Sequence, residues 1–402
     1  IPSLENGGIA ADYTSVTWRL KPGLVWSDGS PVTAEDVKFT AEYCMDPGFG
    51  CAVLQEFEGI TSVEALDDLT VRLNFSAPKY APLQAFVGGH TPILQKAQFA
   101  ACKGAAGVSC TAQNFGPIGT GPYRVTDFRP GDLAQFAINP TYRDAAKPAF
   151  DRVTVKGGGD AMAAARAVLE SAEVDFAWNL QLPPESVAAM EAAGKGRVVA
   201  SFGSMVERID LNQTDPSPDL PEGERATVKF PHPFLTDPAV RKALSMAIDR
   251  QVIAELAYGP AGRPTCTITP VPAGYAPAAQ DCLTQDLDGS RAVLERAGWL
   301  PGPDGVRQKD GQRLSMLFQT TVNPVWQDEQ ALIKQWWSEI GVETELKAVD
   351  GASFFGADPG NPDSQARFQA DAEMYTDAYY LPDPASFLSK FTCARIPSPA
   401  TQ

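Results

Sequence analysis

Seven cysteines, two histidines and a scatter of carboxylates are the side chains here whose chemistry could go beyond solvation. Six cysteines fall in sequence-local pairs, Cys44 with Cys51, Cys102 with Cys110 and Cys266 with Cys282, and Cys393 stands alone. No pair has the C-x-x-C spacing of a zinc ribbon or a redox centre. The segments between them are loop-forming, as in Met45-Asp46-Pro47-Gly48-Phe49-Gly50. Local disulfides are the better reading: each would close a short loop, contribute about 2–3 kcal/mol and imply an oxidising compartment. Unrelated thiols in a reducing cytosol form the other reading, and spacing alone does not set the connectivity. The odd cysteine needs a partner outside this chain or is a free thiol.

His90 and His232 lie far apart, with no acid-rich metal spacing around either. A zinc site or a Ser-His-Asp triad built on them has no support, and both read as surface or satisfied loop residues. Gly157-Gly158-Gly159 matches neither G-x-G-x-x-G nor a P-loop and reads as a tight turn. Asp286-Leu287-Asp288-Gly289 with Glu295 resembles a calcium loop only in part, because Thr284 stands where the first carboxylate is needed; a helix cap is the better reading. A hydrolytic carboxylate pair would have to be drawn from scattered acids such as Asp175 and Asp377. No nucleophile and base are paired. The expectation is therefore no catalytic residue, no metal and no cofactor.

Composition narrows the class further. The net charge of −16 leaves no excess of Lys and Arg to displace counterions from phosphates, which argues against a nucleic-acid partner. Hydrophobic content of 44% with 20% charged residues is globular, and 402 residues suit two or three domains. No run approaches the ~18 apolar residues of a membrane helix. The chain opens on Ile1-Pro2-Ser3 without a basic or apolar leader, so any signal peptide is removed or was never included.

The elements that must position these side chains are legible in part. Val16, Trp18 and Leu20 alternate with Thr17 and Arg19 as a half-buried strand. Thr33 and Asp36 form the ends of a capping box for a helix with Val37, Ala41 and Cys44 on its apolar face. Leu69 to Phe75 is the clearest strand, in a hairpin with the segment around Val63. Strands are expected at 124–126 and 133–138, followed by a βαβ unit made of Val153-Thr154-Val155, an Ala-rich helix over 160–170 and Val174 to Trp178. Asp237-Pro238 opens a helix expected to run to Gly259. Residues 314–319, 326–340 and 342–349 predict a second βαβ unit, in which the adjacent Trp336 and Trp337 cannot share a face.

The stretch Val16-Thr17-Trp18-Arg19-Leu20-Lys21-Pro22-Gly23, continuing through Trp26-Ser27-Asp28-Gly29 to Thr33-Ala34-Glu35-Asp36-Val37, resembles the signature of the family 5 extracellular solute-binding proteins. These are receptors of ATP-binding-cassette importers for oligopeptides, dipeptides, nickel complexes and related solutes. Three further segments agree in the family's order: Gly119-Thr120-Gly121-Pro122-Tyr123, Asp237 to Arg250, and Arg291 through Ala297-Gly298-Trp299. The resemblance implies an α/β, two-lobed periplasmic-binding-protein-like (type II) fold with an additional α+β subdomain. It would place that subdomain at residues 1–115, the first lobe at 116–210 and the second at 211–402. Family members carry more sequence at both ends, so the chain looks like a fragment, which would also explain an unpartnered Cys393.

By the same resemblance the protein is a monomeric, non-catalytic receptor, periplasmic or extracellular, anchored to the membrane, if at all, through sequence before Ile1. Its partners would be a peptide or other small-molecule ligand and a membrane permease. Ligand contacts in this family fall in the segment of Tyr375, Asp377 and Tyr380. Peptide-binding members place an Asp before a Pro-x-x-Phe-like segment, where it pairs with the peptide amine. Aligned without a gap on Asp383-Pro384-Ala385-Ser386-Phe387, that place is Tyr380, and Asp377 lies three residues early. Either Asp377 supplies the charge through a local insertion, or the tyrosines stack on an apolar or sugar-like ligand. Trp178 and Asn179, at the end of an expected first-lobe strand, and Trp326, after Asn323-Pro324, complete the candidate set. A secreted hydrolase, or a receptor for opines, sugars or metal chelates on the same fold, is the alternative.

Overall fold

Val16 is buried and its neighbours lean outward in strand β1, Ser15–Arg19, the alternation that the sequence predicts. Helix α1, Ala34–Met45, begins at Thr33, whose backbone N–H donates to Asp36 Oδ2 at 2.9 Å. The other Asp36 oxygen accepts the Lys96 N–H at 2.9 Å, and Trp26 Nε1 approaches Oδ2 at 3.4 Å. One buried carboxylate thus ties the helix start to two distant loops, so the Thr33–Val37 stretch is a structural pin. Strands β2, Ile60–Ala65, and β3, Thr70–Phe75, form the expected hairpin, and β1 pairs with the other edge of β3. Short helices α2, Lys96–Phe99, and α3, Thr111–Phe115, follow. Then β4, Tyr123–Arg129, β5, Leu133–Ile138, and β6, Arg152–Lys156, build a second antiparallel sheet.

This computed structural model describes all residues except 47–50, 52, 90, 103, 158, 179, 271–280, 357–359, 380–383 and 399–402. The reading of His90 therefore lies outside the described residues. The chain divides into two compact units, Ile1–Gly159 and Asp160–Gln402. This division, at 159/160, lies within the span 116–210 expected for the first lobe. The β4–β6 region packs with what precedes it: Ser27 N–H donates to Gly119 O and Thr141 Oγ1 to Trp26 O, at 2.9 and 3.1 Å.

The first expected βαβ unit does not form. Strand β6 pairs antiparallel with β5, and the Ala-rich helix α4, Ala161–Leu169, capped by Asp160, is not followed by a strand at 174–178. The alternation there is real, but a strand needs a partner for its N–H and C=O groups. No described strand pairs with 174–178, whose Val174 N–H turns back to Ala167 O at 3.3 Å, and Phe176 and Trp178 stand 76% and 72% exposed. Helix α5, Pro184–Glu191, comes next.

Strand β7, Met205–Leu211, opens the main sheet of the second unit. The helix expected from Pro238 to Gly259 is broken. It runs as α6, Pro238–Met246, and α7, Arg250–Ile253, because Asp249 turns its side chain to cap the Gln251 and Val252 N–H groups. A π turn, Ala254–Tyr258, then ends at Gly259 with φ +52°. Helix α8, Leu287–Arg296, is capped by Asp286, which accepts the Gly289 N–H; this is the cap reading, not a calcium loop. Strands β8, Leu300–Pro301, β9, Arg307–Lys309, and β10, Gln312–Arg313, make a small sheet.

Strand β11, Ser315–Thr321, helix α9, Pro324–Glu339, and β12, Glu343–Val349, form the second βαβ unit with parallel strands, as expected. Trp337 is buried, donating Nε1–H to Leu244 O at 3.1 Å, while Trp336 is only partly buried. After α10, Gly351–Phe354, strand β13, Ala372–Ala378, inserts between β11 and β7, and α11, Ala385–Ser389, follows. The sheet order is β12-β11-β13-β7, parallel except for β7. No helix among the described residues is long and apolar enough to cross a membrane.

Candidate functional site

The register of β7 on β13 puts Arg208 opposite Tyr375, Asp210 opposite Glu373 and Val206 opposite Asp377. Side chains alternate along a strand, so Arg208, Asp210, Tyr375 and Asp377 share one face, and Glu207 points to the other. Two polar clusters are thereby built back to back on the same pair of strands.

On the first face Arg208 is the hub. Its Nε and Nη2 meet Asp210 at 2.8 and 3.1 Å, and Nη2 also reaches the Tyr375 hydroxyl at 3.1 Å and Asp377 Oδ2 at 3.2 Å. The Tyr375 hydroxyl donates onward to Asp210 at 2.9 Å. The guanidinium carbon lies 4.8 Å from the Tyr375 ring centre, 5.6 Å from Phe387 and 5.3 Å from Phe391. Nη1 is buried with no hydrogen-bond partner among the described residues. Lys390 closes the cluster on Asp377.

Burial alone would lower the Arg208 pKa, but Asp210, Tyr375 and Asp377 outweigh it and hold it above the ordinary value. Burial pushes the Asp377 carboxyl up; Lys390, the Ala378 N–H and Arg208 pull harder, leaving it below the usual carboxylate range. The Tyr375 hydroxyl is pushed well up by burial and by Asp210. A carboxylate held ionised between two cations is a poor proton donor. Its chemistry here is to fix the end of β13.

On the opposite face, Trp326 is 5% exposed in the main core, and its Nε1 donates to Glu207 Oε2 at 2.6 Å. The Tyr258 hydroxyl donates to the same oxygen. Trp326 therefore packs in the core and orients Glu207. Beyond Glu207 lies Glu329, buried on α9, with both carboxyl oxygens lacking a hydrogen-bond donor among the described residues. Burial first, and then Glu207 and Asp328, push the Glu329 carboxyl far above the carboxylate range.

The three disulfides are those read from the sequence, Cys44–Cys51, Cys102–Cys110 and Cys266–Cys282, and Cys393 is exposed. His232 is a satisfied loop residue, fully buried. Its Nδ1 accepts the Phe234 and Leu235 N–H groups, and Nε2 lies 2.8 Å from Asp371. Among the described residues no group of three or more His, Cys, Asp or Glu is placed to hold a metal ion.

Residues 4–396 match the family model described as bacterial extracellular solute-binding proteins, family 5. The chain belongs to this family. Protein XP55 of Streptomyces lividans is 28% identical over 352 residues, which cover 87% of this chain and 59% of that protein. The chain thus spans 59% of the length of this relative. Among solved structures, NikZ of Campylobacter jejuni, in complex with Ni(L-His), matches with a TM-score of 0.73 at 20% identity, over 96% of this chain and 71% of that one. The oligopeptide-binding protein AppA of Bacillus subtilis, in complex with a nonapeptide, matches with a TM-score of 0.66 at 22% identity, over 94% and 70%. At these identities the likeness shows the fold, the α/β two-lobed periplasmic-binding-protein-like (type II) class.

In this family 5 chain the structure brings Tyr375 and Asp377 together and sets Trp326 on the opposite face of the strands. Trp178 lies apart, exposed, and Asn179 and Tyr380 lie outside the described residues. Arg208, Asp210, Glu207, Tyr258, Glu329 and Lys390 were not singled out from sequence. The available signal was Glu207-Arg208-Ile209-Asp210, charges placed at alternate positions of a strand.

Proposed function

We propose that this chain is the solute-capturing part of an extracytoplasmic receptor. It closes on a peptide or other small organic solute and delivers it to the membrane permease of an ABC importer. The observation that carries this reading is the family match, which runs along nearly the whole chain, from residue 4 to residue 396. The Arg208–Asp377 cluster supports a non-catalytic role, because its charges are spent on one another and brace two strands. In this reading the receptor is a monomer and uses binding energy to shift an open-closed equilibrium. Residues 1–115 are assigned to the additional subdomain, 116–210 to the first lobe and 211–402 to the second, and the border strand β7 pairs with β13 of the second.

Among the residues named from sequence, Trp178 is the solute contact this reading favours, since its side chain is largely exposed. Asn179 and Tyr380 are assigned to the same contact set. Tyr375 and Asp377 act from behind, holding the strand that leads to Tyr380. Native mass spectrometry of the purified protein, followed by a thermal-shift screen of peptides, opines, oligosaccharides and metal chelates, tests the function, because a ligand stabilises by mass action. Binding without turnover supports the receptor; steady conversion of a bound solute supports the hydrolase instead. Stabilisation by sugars or chelates with none from di- to hexapeptides removes the peptide assignment.

A further inference from the structure

Glu329 on α9 is 2% exposed, and neither of its carboxyl oxygens receives a donor from the described residues. The two donors of its cluster, the Trp326 indole and the Tyr258 hydroxyl, are taken by Glu207 Oε2. The carboxyls of Glu329 and Glu207 instead meet each other, and two carboxyls form a hydrogen bond only when one of them carries a proton. The other ionisable groups around Glu329 are Tyr258 on the π turn and Asp328 on α9, while Glu185 on α5 lines the same groove as Asp328. None of them is a cation. The shared proton belongs on Glu329, the more deeply buried of the two carboxyls. Burial, and then Glu207 and Glu329, push the Tyr258 hydroxyl up as well, so it remains a donor.

This series of bonds leads to a tight backbone contact. Tyr258 ends the π turn at Gly259, whose φ of +52° suits glycine, and a Cβ there would lie 2.9 Å from both Cβ and Cγ of Pro184. Pro184 is the first residue of α5. Just before it, Gln181 accepts a hydrogen bond from Asn323, the cap of α9. The chain that follows Trp178 is therefore seated on α9 at Gln181 and on the π turn at Pro184.

We propose that protonated Glu329 is a proton-held lock: it donates to Glu207, Glu207 holds Tyr258 and Trp326, and the π turn fixed in this way seats the start of α5 and the chain leading back to Trp178. A glutamine would donate the same bond at every pH. A carboxyl donates only while it is protonated, so the lock is closed at low and neutral pH and opens as the pH rises through the folded-state value. Loss of the proton puts two negative charges in contact in a buried site, and their repulsion releases Glu207 from Tyr258. The consequence for solute capture rests on the receptor reading, since it acts through the placement of Trp178; the lock itself does not.

Infrared spectroscopy in heavy water and hydrogen exchange followed by mass spectrometry test this without any solute. Near neutral pH the wild type is expected to show a protonated-carboxyl carbonyl component that Glu329→Gln loses. Glu329→Gln, whose amide still donates to Glu207, is expected to protect the Ala254–Tyr258 amides as well as the wild type does near neutral pH, and to keep that protection in alkaline solution. Glu329→Leu, which fills the space without donating, is expected to exchange these amides at least about tenfold faster after correction for intrinsic rates. In the wild type, protection there should fall in step with the carboxyl component as the pH is raised. The proposal is overturned if no such component depends on Glu329, if Glu329→Leu protects the π turn as the wild type does, or if protection survives loss of the component. The infrared comparison needs only the wild type and Glu329→Gln, so it decides the matter even where circular dichroism shows Glu329→Leu to be unfolded. Failure of these measurements removes the lock and leaves the receptor reading standing, whereas a solute screen without binding removes that reading and leaves the lock.

Discussion

Arg208 on β7 and Asp377 on β13 are joined across adjacent antiparallel strands by an Nη2–Oδ2 contact of 3.2 Å, with the guanidinium almost wholly buried. Removing the cation takes a charge partner from two carboxylates at once, leaving Asp210 with the Tyr375 hydroxyl and Asp377 with Lys390. Arg208→Ala is expected to cost about 3–5 kcal/mol, the range for breaking a buried ion pair from one side. A triple change that also neutralises Asp210 and Asp377 to Asn is expected to recover most of this. Urea denaturation followed by tryptophan fluorescence measures both, and a single-mutant loss under about 1 kcal/mol would show that the cluster does not brace the strands.

Asp377 makes that brace sensitive to acid. Burial raises its carboxyl, but Lys390 and Arg208 bring it below the ordinary value. A folded pKa below the unfolded one means that the unfolded state binds more protons between the two. The stabilisation is then full above about pH 4 and is lost as the pH falls through the lower, folded value. Asp377→Asn is expected to cost about 1–3 kcal/mol near pH 7 and nothing near pH 2. Unfolding free energies measured across that range decide it: a cost that stays constant with pH contradicts the ionic origin.

The parts of the fold that were legible in sequence were those decided by neighbours along the chain. The Thr33–Asp36 box, the β2–β3 hairpin, the Asp286 cap and the β11–α9–β12 unit all depend on period or on side chains within a few residues. The segment at 174–178 has the alternation of a strand and lacks the partner that would make it one. The α6–α7 break turned on Asp249, whose side chain can cap the next helix as easily as sit on the first. The candidate site was half legible for a related reason. Tyr375 and Asp377 came from the resemblance, whereas Arg208 reaches them only through a pairing between strands more than 160 residues apart, which no local pattern encodes.

The disulfides should differ in weight with loop length. Cys266–Cys282 closes a separation of 16 residues, against 7 and 8 for Cys44–Cys51 and Cys102–Cys110. Loop-closure entropy puts the longest at about 3 kcal/mol and the shorter two nearer 2.5 kcal/mol. Paired Cys→Ser substitutions, compared by differential scanning calorimetry, are expected to lower the melting temperature in that order. Full reduction with dithiothreitol should lower it further than any single pair does.

Trp178 separates a solute contact from a structural residue. Its side chain is 72% exposed, so Trp178→Ala is expected to change stability by less than about 0.5 kcal/mol. If its indole stacks on the solute, affinity should fall by about tenfold or more, as for a buried aromatic anchor. Calorimetric titration with the solute recovered by native mass spectrometry provides the measurement. Unaltered affinity in a normally stable variant would remove Trp178 from the contact set.

Glu329 reverses the pH sign of Asp377. Its carboxyl is held above the ordinary range, first by burial and then by Glu207, so between the unfolded and folded values the folded state binds the extra proton. That stabilisation is complete below the unfolded pKa, about 4.3, and is lost as the pH rises toward the folded value. Glu329→Gln should therefore leave stability near pH 4 almost unchanged and raise it increasingly above that, by about 1–3 kcal/mol near pH 8. Urea titrations of both proteins at four or five pH values test the slope. Parallel stability curves across the range would mean that burial and Glu207 do not hold the Glu329 carboxyl protonated.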